Sequence, residues 1–300
     1  QGAAPQASAW HAAQSAATRQ RAVAAIEKQL RQDAIGLHAK AQADESRSEF
    51  EGAKRLYAVY LDRFGEDAAA YEMHFNAGEI DFYHLEDARG AAKNYLAAVR
   101  LKPQGALSRD ALFNALTALE VARADEFDAA QAAGRPPEET PTDKQLTEAM
   151  ELYVATYPED AAVPDLLFRQ GKLYYDYGVF DPAVRQWGLL LEKYPRSAEA
   201  KSAGELILDS FNRSKDYENI EVWARRLKTA PAFSASAEQK KLDELIVGAV
   251  FKQGEQLAAA GAHGRSAQAY LRAAREFPGE SRAAQAAVNA EVEAKRAGDL

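Results

Sequence analysis

The sequence predicts an all-α chain, an α-solenoid of about six to seven stacked helix-turn-helix repeats. Three observations carry that expectation. The 300 residues are 47% apolar but only 9% aromatic, and alanine dominates many stretches. Such small side chains have high helix propensity and let helices approach closely. An aromatic followed by Pro or Gly, a short polar residue and small residues recurs at Phe64-Gly65, Tyr157-Pro158, Tyr194-Pro195 and Phe277-Pro278. This is the signature of one helix stopping and the next being capped. The spacings are those of paired helices: Gly65 to Pro103 is 38 residues, Pro158 to Pro195 is 37 and Pro195 to Pro231 is 36.

Residues 1–32 read as an Ala/Gln-rich helix that caps the array, links to it or contacts a partner, and within the Ala-, Gln- and Arg-rich run Ala7–Lys40 the residues Val23, Ile26, Leu30 and Leu37 sit at heptad-like spacing. The array itself is expected over 33–300. Ala53, Tyr57, Tyr60 and Gly65 mark a second helix. Gly78 marks the following first helix, with one residue more than the other units before Ala91, Tyr95, Ala98 and Pro103. A Pro-rich insertion at 134–144 accounts for the long interval from Pro103 to Pro158, and Leu146, Met150 and Tyr153 stripe the helix after it. The best unit is Asp165–Pro195. Phe168, Gly171, Tyr174 and Tyr175 lie on its first helix, Gly178 and Asp181-Pro182 make the turn, and Ala183, Trp187, Leu190 and Leu191 stripe the second. Asn219, Trp223 and Pro231 form a degenerate copy, followed by a linker at Pro231–Ser236. Gly254, Ser266, Tyr270, Ala273 and Pro278 repeat the intervals of the best unit. Ala283–Arg296 reads as one more first helix, so the last repeat is expected to be incomplete and the chain to be a fragment of a longer protein or to carry a further tail.

Gly171, Ala183 and Pro195 are 12 residues apart in turn, and here the sequence resembles the tetratricopeptide repeat family. The resemblance covers residues 33–300 and implies a right-handed superhelix, with the small residues where paired helices cross and Tyr174 and Trp187 filling the space around that crossing. The repeat style is similar to arrays of bacterial cell-envelope proteins such as barrel-assembly lipoproteins and the coordinator of the Tol–Pal system. The resemblance thus implies a periplasmic or envelope-associated setting, and a cytoplasmic one is equally compatible with the residues.

Little in the chain carries chemistry. Zero cysteines excludes disulfides, thiolate zinc sites and cysteine nucleophiles. A net charge of −8 argues against duplex nucleic-acid binding, which needs a concentrated basic face. No apolar run approaches the ~20 residues that span a bilayer. His74 and His84 are ten residues apart, not the three or four that put two ligands on one helix face. Gly261-Ala262-His263-Gly264 falls where two helices meet and reads as a plain turn rather than a phosphate loop. The chain is therefore expected not to be an enzyme and to need no metal or cofactor.

Recognition is the better candidate. Aligned first helices superimpose Phe75-Asn76, Phe113-Asn114, Phe168-Arg169 and Phe251-Lys252, and Val288-Asn289 continues the series. In stacked units Asn76, Asn114, Arg169, Lys252 and Asn289 form a row along the inner wall. In the tetratricopeptide family such asparagines hold the backbone of an extended peptide, to which an amide offers both a donor and an acceptor. Ordinary solvent-facing polar residues are the alternative. Phe75, Phe168, Tyr83, Tyr175 and Lys172 complete the expected partner-binding set. The expected function is a protein–protein interaction scaffold that takes a peptide segment or partner protein on its concave face, within a cell-envelope complex for assembly, motility or secretion. The alternatives are a self-assembly element, or the scaffold part of a protein whose active domain lies elsewhere. Oligomeric state stays open.

Overall fold

The computed structural model describes residues 15–134 and 139–298. Residues 1–14, 135–138 and 299–300 lie outside that description, and with them the first half of the expected N-terminal segment and part of the Pro-rich stretch. Every regular element among the described residues is helical. The chain divides into two compact units, one ending at Pro158 and one beginning at Glu159.

The first unit holds three helical pairs. Helices α1 (Ala16–Asp44) and α2 (Arg47–Phe64) form the first. α1 runs unbroken through the boundary expected at 32/33, and it buries Ala34, His38 and Ala41. The second pair is α3 (Ala70–Glu79), continued by a π-turn at Ile80–His84, with α4 (Ala88–Leu101). The π-turn explains the extra residue between Gly78 and Ala91: an i→i+5 turn absorbs one residue without changing the helix direction. It also carries Asp81 into the interior, where Lys54 lies 2.6 Å from one carboxylate oxygen and the Asn94 amide donates to the other at 2.8 Å. The third pair is α5 (Ser108–Ala132) and α6 (Pro141–Thr156). The second half of the expected insertion is thus the start of a helix. Thr140 and Asp143 form a capping box around Pro141, and Arg123 of α5 clasps the buried Asp143 at 2.5 Å.

In the second unit α7 (Val163–Asp176) pairs with α8 (Phe180–Lys193), α9 (Ala200–Arg213) with α10 (Tyr217–Leu227), and α11 (Ser236–Ala259) with α12 (His263–Glu276). α13 (Ser281–Ala297) packs on α12. One rule builds these pairs: a glycine on the first helix faces a large aromatic from the second. A Cβ added at Gly78 would stand 2.8 Å from Tyr95, at Gly171 2.3 Å from Trp187, and at Gly254 2.8 Å from Tyr270. Trp187 is fully buried, and its indole N–H donates to the Phe168 carbonyl at 3.1 Å. Tyr174 is only half-buried, so the indole is the principal filler of that crossing. In the degenerate pair α10 is short, and the aromatic comes from the segment read as a linker. Pro231–Phe233 is a 3₁₀ turn whose buried Phe233 ring faces Gly204, while Trp223 instead reaches Gly188 on α8. Turns between paired helices use one left-handed residue each: Glu45, Glu86, Gly134, Gly178, Lys215 and Gly261.

Candidate functional site

The expected partner-binding residues fall in both units. In the first, Phe75 and Asn76 lie on α3, Tyr83 in the π-turn and Asn114 on α5. Phe75 is half-buried and packs edge-on against Tyr95 at 5.7 Å. Tyr83 keeps 60% of its surface exposed and touches Phe82 edge-on at 5.1 Å. The asparagines are engaged within the fold. The Asn76 amide sits near the hydroxyl of Tyr57 on the preceding helix, and the Nδ1 of buried His38 meets the same hydroxyl at 3.1 Å. Burial pushes the Tyr57 phenol up to about 12, partly offset by the Asn76 amide. Asn114 donates to Glu79 at 3.2 Å, the carboxylate that also takes the Tyr95 hydroxyl at 2.6 Å. These amides therefore tie one helical pair to the next, a role absent from the alternatives weighed for them from the sequence.

In the second unit Phe168, Arg169, Lys172 and Tyr175 share α7. Arg169 pairs with Asp165 at 2.9 Å along its own helix, and Lys172 pairs with Asp176. The Tyr175 hydroxyl donates to Asp209 on α9, and the Arg213 guanidinium lies over its ring at 5.0 Å. Burial and then the Asp209 carboxylate raise the Tyr175 phenol. This is a self-satisfied cluster facing α9.

Lys252 and Asn289 sit differently. α11 is 24 residues long, and its early turns run beside the start of α13. Between them lies a groove of about 840 Å³ whose walls include Lys240, Lys241, Glu244 and Gly248 of α11 and Gly279, Ser281 and Arg282 opposite. Ser281 and Arg282 also line an adjoining hollow of about 270 Å³, bounded by Phe251, Lys252, Glu255 and Gln285. Asn289 is one turn further along α13, accepting from Gln285 at 2.9 Å, with its amide near the Tyr270 hydroxyl. Lys252 pairs with Glu255 at 2.6 Å, which raises the lysine above its ordinary range. Arg282 stands where the two hollows meet. Its guanidinium lies 5.9 Å from the Phe251 ring centre and 3.2 Å from where a Cβ on Gly248 would be. No carboxylate among the described residues pairs with it. The sequence reading found Lys252 and Asn289 but missed Arg282, Lys240 and Lys241. The available signal was the Pro278-Gly279 break, which sets Arg282 at the head of a helix.

No known family model matches the chain, and no curated protein matches it. Solved structures similar in helix arrangement include a MamA protein at 13% identity, covering 77% of this chain and 96% of that one with a TM-score of 0.36. A tetratricopeptide repeat protein from Parabacteroides merdae shares 14% identity over 90% of this chain and 93% of that one, TM-score 0.37. PilF of Pseudomonas aeruginosa shares 12% over 86% and 97%, TM-score 0.32. At such scores the superpositions bear no weight, and the class rests on the chain's own geometry. Glycine–aromatic crossings and turns with a left-handed residue define an all-α array of tetratricopeptide-type helical pairs. No helix among the described residues is long and apolar enough to cross a membrane.

Proposed function

We propose that the chain is a non-enzymatic scaffold that captures a peptide segment of a partner protein in the groove between α11 and α13. One observation carries the reading: Arg282 is a guanidinium without a carboxylate partner at the junction of two connected hollows. Five fixed N–H donors beside a half-buried aromatic face suit the carbonyls or a carboxylate of an extended peptide. Lys240 and Lys241 add positive charge on the facing helix, and Lys252 and Asn289 continue the polar track along the groove. The remaining expected contacts, Phe75, Asn76, Tyr83 and Asn114 in the first unit and Phe168, Arg169, Lys172 and Tyr175 in the second, are proposed as further partner contacts, each set within its own unit, with Tyr83 the most available. The repeat style of the sequence supports a setting in a bacterial cell-envelope complex, which fractionation of the source cells tests.

Selection of a random peptide library displayed on phage against the intact chain tests the groove. The expected result is a convergent set of peptides whose affinity falls at least tenfold on Arg282→Ala. Selected peptides that bind the Arg282→Ala chain unchanged would remove the groove from the account.

A further inference from the structure

The first unit carries a second groove, on the opposite partners of its helical pairs. Arg89, Lys93, Leu96 and Arg100 follow one another at intervals of 4, 3 and 4 residues and so form one stripe along α4. Pro141, Gln145, Glu148 and Leu152 follow at the same intervals along α6. The two stripes face each other across a groove of about 670 Å³, floored by Leu119 of α5 and Ala149 of α6. The end at Arg89 is closed by a bridge: Arg89 pairs with Glu126 at 2.8 Å, and the Thr142 hydroxyl donates to the same carboxylate at 2.5 Å. Beyond that bridge the groove is open. Lys93 and Arg100 are exposed and have no carboxylate partner among the described residues, while Leu152 keeps 40% of its surface exposed at the far end.

We propose that this groove docks an amphipathic helix of a partner protein, with leucine-like residues on the floor and carboxylates along the flank facing α4. The walls are helices whose backbone groups are internally bonded, so no strand can add to them and side chains must make the contact. The open part of the stripe, from Lys93 to Arg100, rises about 10 Å, enough for two turns of a docked helix whose ridges enter the groove between α4 and α6. Charge complementarity fixes the flank. Two unpaired cations on α4 favour glutamates there, while Glu148 and Gln145 on α6 favour a neutral or basic opposite edge.

The probe is a fluorescein-labelled 15-residue amphipathic peptide with leucines at i, i+3, i+4, i+7 and i+11 and glutamates on one flank. A second peptide replaces those glutamates with lysines. Anisotropy titration of the intact chain is expected to give micromolar binding of the glutamate peptide and at least tenfold weaker binding of the lysine peptide. Lys93→Glu with Arg100→Glu, both exposed, is expected to reverse that order while the far-ultraviolet spectrum and melting temperature stay the same. Arg282→Ala is expected to change neither peptide's affinity, which separates this groove from the one between α11 and α13. No binding of the glutamate peptide at millimolar concentration, or equal binding to the charge-reversed chain, would overturn the proposal. So would a dimer by sedimentation that Leu152→Asp dissolves, since a second copy would then occupy the groove.

Discussion

Gly171 and Trp187 meet so closely that a Cβ on the glycine would stand 2.3 Å from the indole Nε1. The same relationship, slightly looser, joins Gly78 to Tyr95 and Gly254 to Tyr270. The glycines are thus spacing devices: they set how near two paired helices lie, and every groove in each unit inherits that geometry. Gly171→Ala forces the fully buried indole or the backbone to move. Such overpacking costs about 1–3 kcal/mol, in spite of alanine's better helix propensity. Gly36→Ala on α1 is the control. Nothing lies within 4 Å of the added Cβ there, so it is expected to stabilise by about 0.5–1 kcal/mol. Urea unfolding of the two variants reads both signs.

Glu86 and Lys215 occupy left-handed backbone, at φ 60° and 56°, where the equivalent turns use Gly178 and Gly261. A side chain there costs about 1 kcal/mol relative to glycine. Glu86→Gly and Lys215→Gly are each expected to raise stability by up to that amount, because both positions are exposed and lose no packing. Thermal unfolding that shows a loss for either would mean that its side chain contributes more than the strained backbone takes away.

The Asn76 amide sits against the Tyr57 hydroxyl, and Asn114 shares Glu79 with Tyr95. Both asparagines are therefore parts of the fold as well as candidates for partner contact. Each deletion takes a polar neighbour from a half-buried or buried group, at about 1 kcal/mol. Asn76→Ala with Asn114→Ala is therefore expected to lower the melting temperature by several degrees. A double-mutant cycle of Asn76→Ala with Tyr57→Phe should show non-additive losses, and strict additivity would deny the contact.

Burial pulls His38 and His74 below the ordinary value of 6.5, with the neighbouring His84 adding to the effect on His38. Their folded pKa values lie below the unfolded ones, so the unfolded chain binds more protons as pH falls. The neutral imidazoles favour folding fully above about pH 6.5, and that contribution shrinks as pH falls from there through the lowered folded values. The first unit is expected to lose stability as pH falls below about 6.5, and His38→Gln with His74→Gln should flatten that slope. Denaturant unfolding across this range checks it, and an unchanged slope would show that other groups set it.

The repeat architecture was legible because its punctuation is local. Pro195, Gly178 and the stripe from Ala183 to Leu191 announce helix ends, a turn and a buried face without reference to distant residues. The placing of Gly171 and Trp187 at one crossing followed from the resemblance to tetratricopeptide repeats, whose intervals this unit matches. What stayed hidden depends on neighbours in space. Asp81 is one charged residue among many until the π-turn carries it inside, and Phe233 lay in a stretch that composition marks as a linker. Asn76 and Asn114 share a register with residues of a peptide-holding row, but a register does not say whether a tyrosine hydroxyl already occupies the amide. Arg282 was missed because its importance comes from α11 lying alongside it, and no spacing within α13 records that.

The central claim is that a partner segment lies over Arg282 between α11 and α13. Site-specific photocrosslinking tests it most directly, with p-benzoylphenylalanine at Lys241 in the intact chain, expressed in its source cells, and at exposed Val222 on α10 as the control. The account predicts one protein adduct of defined mass from position 241 that disappears with Arg282→Ala and never forms from position 222. Adducts that are equal from both positions, or that survive the loss of Arg282, would contradict it.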